Sequence, residues 1–139
     1  MNPLPPLNGP NLPAIFLAVL AMQALAFLFY APGFLGGAWL RAWGLAKKKV
    51  NSRDPVPFVL SVTQAAVAAM SLDYLLRHLG WPGVLGGLRL ALYVWLGFLS
   101  LSLAVHYRYA KVSSRALLID AGFELAQLCV AGLIVGAWR

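Results

Sequence analysis

Four long apolar runs separated by short polar breaks make up most of the chain, covering about residues 13–30, 57–79, 84–107 and 114–138. Each is near the length of about 20 residues that crosses a hydrocarbon core of about 30 Å. None alternates apolar and polar positions, and a lipid-exposed strand edge has no place in a bilayer, so the runs predict helices. Punctuation agrees with this. Asn11 stands as a cap before Pro13, "APGFLGG" closes the first run, "DPVP" opens the second, "GWPG" closes it, and Ser113 or Ser114 caps the fourth. The pattern predicts an all-α fold, an integral membrane bundle of four transmembrane helices forming one transmembrane domain over residues 1–139.

The stretch after the first run is more than a linker. "GGAWLRAWGLAKKK" sets Trp39, Leu40 and Trp43 on one side of a short helix and follows them with Lys47, Lys48 and Lys49. It reads as a short interfacial amphipathic segment, with Trp39 and Trp43 as membrane-interface residues above anionic headgroups.

Composition sharpens the membrane reading. The 139 residues are 61% hydrophobic and 11% charged, with a mean hydropathy of +0.77. Soluble domains run near about 45–50% apolar and about 25% charged. The net charge of +7 raises nucleic acid as a partner. Its placement excludes that, because the cations collect between spans and point to the lipid bilayer as the partner. Arg41, the three lysines and Arg53 lie in the first loop, and Arg108, Lys111 and Arg115 in the third. The N-terminal tail has no Lys or Arg, and the second loop offers only Arg77. By the positive-inside rule both basic loops are cytoplasmic. A multi-pass protein of the cell inner (plasma) membrane follows, with N- and C-termini outside the cytoplasm. "AMQALA" resembles a cleavage site, but the leader is uncharged and the apolar run continues to Tyr30, so an uncleaved first span is expected.

Little conventional chemistry is written in the chain. Cys129 is the single cysteine, which excludes an intrachain disulfide or a cysteine-based zinc site. There is no phosphate-binding Gly-rich loop, zinc-ligand spacing or nucleophile elbow, so no metal or cofactor is expected. "PGFLGG" at Pro32 and "PGVLGG" at Pro82 look like a repeat, but their placement fits no two-plus-two inverted topology.

The polar residues inside the spans carry the functional question, since ionisable groups there are expensive. At about 1.5 Å per residue, Asp73 lies roughly 9 Å and Arg89 roughly 8 Å from the outer ends of their helices. They are expected as a structural ion pair, with Arg77, one turn from Asp73, as the competitor. On the fourth helix Asp120 and Glu124 lie about 8 and 14 Å from the inner end. With Gln127 they follow i, i+4, i+7 spacing and share one face. Gln64 and Gln23 fall at comparable depths on other helices. Three outcomes stay open for the two acids: one is protonated, a cation sits between them, or a neighbouring subunit completes the site.

The stretches "FYAPGFLGGAWLRAWG", "VWLGF" and "LLIDAGFELAQLCVAGLIVGAW" make the chain resemble the small four-helix bacterial membrane proteins of domain-of-unknown-function family seventeen-sixty-one. The resemblance covers nearly the whole chain and rests on Tyr30, Pro32, Gly36, Trp39 and Asp120 to Phe123. It implies the four-span topology and singles out Asp120, and it implies no activity. The family often has Trp where Phe29 stands and His where Glu124 stands. The second departure disfavours a metal-ligand role for Glu124 and leaves proton exchange or hydrogen bonding.

The expectation drawn from all this is binding or transport of a small cationic or protonatable solute by a homo-oligomer. Asp120 and Glu124 would bind the solute, with Gln64 and Gln127 orienting it. The small residues of "TQAAVAAMS" (Thr63 to Ser71) offer a contact face between copies. Two alternatives stand beside it: a membrane-embedded enzyme using the same carboxylates on a lipid-soluble substrate, and an accessory or structural subunit. The enzyme reading is disfavoured by the lack of a recognisable nucleophile.

Overall fold

The computed structural model describes residues 9–45 and 53–138. The lysines at 47–49, on which part of the amphipathic reading rests, lie outside the described residues. In chain order the helices are α1 (Leu12–Phe29), α2 (Gly36–Ala42), α3 (Val56–Leu79), α4 (Gly83–Val94), α5 (Leu101–Tyr109) and α6 (Ser114–Ala137). A π-helical stretch, Trp95–Ser100, joins α4 to α5 and makes them one span of 27 residues. The fold is all-α, and α1, α3, the α4–α5 unit and α6 are each long and apolar enough to cross a membrane.

The ends follow from local chemistry. Asn11 Oδ1 accepts from the Ala14 N–H at 3.2 Å, and Ser113 Oγ accepts from the Ala116 N–H at 3.2 Å, so α1 and α6 start on side-chain caps. Asp54 Oδ1 accepts from the Val56 N–H at 3.0 Å where α3 begins. α3 stops at Gly80, whose left-handed φ of 64° suits a residue without a Cβ.

α6 is the axle of the bundle, packing on α4, α1 and α3, with α2 across its first turns. Two pairs of glycines set the tightest seam. Gly87 and Gly132 meet backbone to backbone, and Gly136 lies on the Gly83 carbonyl. A Cβ at Gly87 would overlap the Gly132 carbonyl, so these small residues let α4 and α6 approach as closely as they do. Met22, Ala65, Ala69, Leu72, Leu76, Leu128 and Val135 fill the remaining core. Ala65 and Ala69, expected on a face between copies, are instead fully buried within the chain, while Val67 and Met70 point outward.

The structure corrects the ion-pair expectation at the end of the bundle nearest Gly80. Asp73 is fully buried and pairs with Arg77 Nε at 3.1 Å, one turn along its own helix. Arg89 is exposed, and no ion pair joins it to Asp73. Equal depth brings two groups to one layer, but the rotation of α4, fixed by its glycine seam, turns Arg89 away.

Candidate functional site

The chain leaves α1 at Tyr30, where Pro32 prevents the helix from continuing. The turn that follows is stitched by Phe34 N–H to the Ala31 carbonyl (2.9 Å) and Leu35 N–H to the Phe29 carbonyl (3.2 Å). It sends α2 back across α6. Gly36 is required there, because a Cβ would collide with the Tyr30 carbonyl. At the far end of α2, Ser113 Oγ donates to the Ala42 carbonyl at 2.8 Å, so the cap of α6 also fixes α2.

This fold-back delivers four neutral donors to Asp120. Tyr30 Oη (2.6 Å) and Trp39 Nε1 (2.8 Å) donate to Oδ1, and Tyr107 Oη (2.7 Å) and Trp43 Nε1 (3.1 Å) donate to Oδ2. Trp39 on α2 and Trp43 at its C-cap stand i, i+4 and so present both indoles on one face. The rings also touch one another, Tyr30 to Trp39 at 5.5 Å and Trp43 to Tyr107 at 5.2 Å between centroids, with Phe123 against Tyr30 at 4.9 Å. The donor set suits an ionised carboxylate, an acceptor-only group with about four lone-pair sites. Every one of those sites is taken. Asp120 ties together the exit of α1, α2, α5 and α6 with no Lys or Arg in the arrangement.

One turn further along, the same face is nearly empty of partners. Glu124 is half-buried and accepts from Gln64 Nε2 at 3.4 Å, longer than the usual limit of about 3.2 Å. Gln127 is 1% exposed, and neither its Nε2 nor its Oε1 has a hydrogen-bond partner. Gln23, at a similar depth, is committed elsewhere: its amide nitrogen donates to the Ser61 carbonyl and hydroxyl, each at 3.2 Å.

The expected site residues therefore separate into two groups. Glu124, Gln64 and Gln127 stand together, and Asp120 stands with aromatic residues. Trp39 and Trp43, expected at the headgroups, direct their N–H groups inward to Asp120. Tyr30 and Tyr107 went unread as Asp120 partners, although Tyr30, Trp39 and Asp120 all lie in the stretches that carry the family resemblance. Trp95 is a further unread contact; its indole donates to the Ala121 carbonyl at 2.8 Å, beside the π-helical stretch. His106 is exposed and bonds to the Ser102 carbonyl. Among the described residues no three His, Cys, Asp or Glu side chains group as metal ligands would.

The sequence model of one family, described as "Protein of unknown function (DUF1761)", matches residues 13–136. No curated protein and no solved structure matches the chain.

Proposed function

The chain belongs to the DUF1761 family of proteins of unknown function, and from the geometry we propose a multi-pass membrane protein that binds or transports a small cationic or protonatable solute. Glu124 is its acid, Gln64 and Gln127 orient the solute, and Asp120 holds the wall of the site without touching the solute.

The observation that carries this reading is Gln127, a buried amide with both polar atoms unpartnered, one turn from a carboxylate that has a single long hydrogen bond. A buried polar group without a partner costs about 1–3 kcal/mol, so its presence in a bundle core calls for a compensating role. An ammonium group supplies donors to Glu124 and to the Gln127 carbonyl oxygen, and a hydroxyl oxygen on the same solute accepts from the Gln127 amide. A homo-oligomer is the proposed working unit, because four helices enclose too little volume for a conduit within one subunit. The basic loops at one end of the bundle support a plasma-membrane orientation with both termini outside the cytoplasm.

The accessory-subunit reading draws on Asp120, whose carboxylate is fully accounted for by internal bonds. That reading leaves Gln127 unexplained.

Native mass spectrometry of the full chain released from lipid nanodiscs tests the proposal. Wild type should carry a stoichiometric non-lipid mass, and Glu124→Gln should lose it. Wild type carrying lipid alone, or an adduct that survives in Glu124→Gln, would sink the reading.

A further inference from the structure

The aromatic wall around Asp120 has a second side. Tyr30 and Trp39 turn their polar ends to the carboxylate. Together with Pro32, Gly36, Gly37 and Leu40 they line a groove of about 540 Å³ whose surface is almost wholly apolar. That volume lies within the range of about 300–1,000 Å³ typical of small-molecule sites.

The groove has a charged rim. Arg41 stands one turn beyond Gly37, and its Nη1 lies 3.5 Å from where a Gly37 Cβ would be. Its side chain therefore folds back toward Gly37, one of the residues that line the groove. Arg41 is exposed, and no described carboxylate pairs with it. Two of the acids are already engaged, Asp54 in capping Val56 and Asp120 with both oxygens taken. The level is also set: Arg41 adjoins Ala42, whose carbonyl takes the hydroxyl of Ser113, the cap just before the fourth span. From that level to Asp120 the wall descends about 10 Å along α6. Arg53, Arg108, Lys111 and Arg115 add positive charge at the same end of the bundle.

We propose that this groove holds one anionic phospholipid, with an acyl chain along the Tyr30, Trp39 and Leu40 surface and the phosphate at the Arg41 guanidinium. The order of groups matches an amphiphile entering from the membrane, charge at the boundary and apolar surface below it. The chain carries four candidate spans, so such lipid surrounds it. A soluble anion would use the guanidinium and leave the apolar slot unused. Gly37 keeps the slot open, since a Cβ there meets nothing but the movable end of Arg41. Asp120 acts indirectly, by fixing the rings that form the wall.

The test uses the full chain in nanodiscs made of equal parts phosphatidylglycerol and phosphatidylcholine, with retained lipid counted by native mass spectrometry. Wild type should retain phosphatidylglycerol over phosphatidylcholine by about fivefold, the worth of one basic residue at an anionic surface. Arg41→Gln should abolish that preference without changing phosphatidylcholine retention, and Arg41→Lys should keep most of it. Gly37→Leu, which fills the slot, should lower retention of both lipids, with the unfolding midpoint reporting that the variant is folded. Equal retention of the two lipids by wild type would overturn the proposal, as would a preference that survives Arg41→Gln or retention unchanged in Gly37→Leu.

Discussion

Asp120 and Glu124 occupy successive turns of one helix face, carry the same functional group and have opposite surroundings. Asp120 accepts from four donors brought by α1, α2 and α5. Glu124 has one contact, at 3.4 Å, and its next polar neighbour on that face is a buried amide bonded to nothing. An acid in a membrane helix is therefore not a functional site by its charge alone. What decides is whether the surrounding donors exhaust its lone pairs. The lone pairs of Asp120 are all taken within the chain, whereas Glu124 has a single long hydrogen bond.

The largest effect should come from removing the anchor. Asp120→Ala leaves four inward-facing donors without an acceptor, each costing about 1–3 kcal/mol, so stability should fall by about 4 kcal/mol or more in thermal unfolding. Asp120→Asn keeps one acceptor oxygen and turns an NH₂ against the remaining donors, and should cost about 2 kcal/mol. If either variant unfolds like wild type, the donors do not depend on this carboxylate and the contrast collapses.

A destabilised variant that touches neither acid separates weakened folding from lost function. Gly87→Ala pushes a methyl into the Gly132 carbonyl and should cost about 1–3 kcal/mol as α4 and α6 move apart. Folded molecules of this variant should keep the solute adduct. Its loss would mean that adduct retention reports stability and not the site.

The smallest of these changes has the opposite sign. Gln127→Leu replaces an unpartnered amide with an apolar side chain of similar size, and should stabilise the protein by about 1–2 kcal/mol while removing solute binding. A loss of stability would show that the amide has a structural partner.

The four spans were legible because hydrophobic length and cap chemistry are local properties. Asn11 and Ser113 could be named as caps from their neighbours alone. The shared face of Asp120, Glu124 and Gln127 was legible for the same reason, helical spacing being arithmetic. Partners across the bundle were less so. Depth grows linearly with residue number, but rotation about the helix axis is set by packing. Matching depth proposed Arg89 for Asp73, and the structure chose Arg77. The same limit hid Tyr30 and Trp39, which reach Asp120 across 90 and 81 residues of sequence. Their approach depends on a Pro–Gly fold-back that only makes sense once α2 lies on α6. Gly132 and Gly136, the α6 half of the glycine seam, were hidden differently, inside an apolar run where two glycines carry no hydropathy signal.

The most direct measurement is a paired thermal unfolding of Asp120→Asn and Glu124→Gln in the same lipid nanodiscs. Asp120→Asn should unfold roughly 5–10 °C below wild type, the shift that about 2 kcal/mol produces in a chain of this size. Glu124→Gln should stay within roughly 2 °C of wild type, because it exchanges one weak contact for another. Equal losses, or a larger loss in Glu124→Gln, would contradict the division of the two acids into an anchor and a binding group.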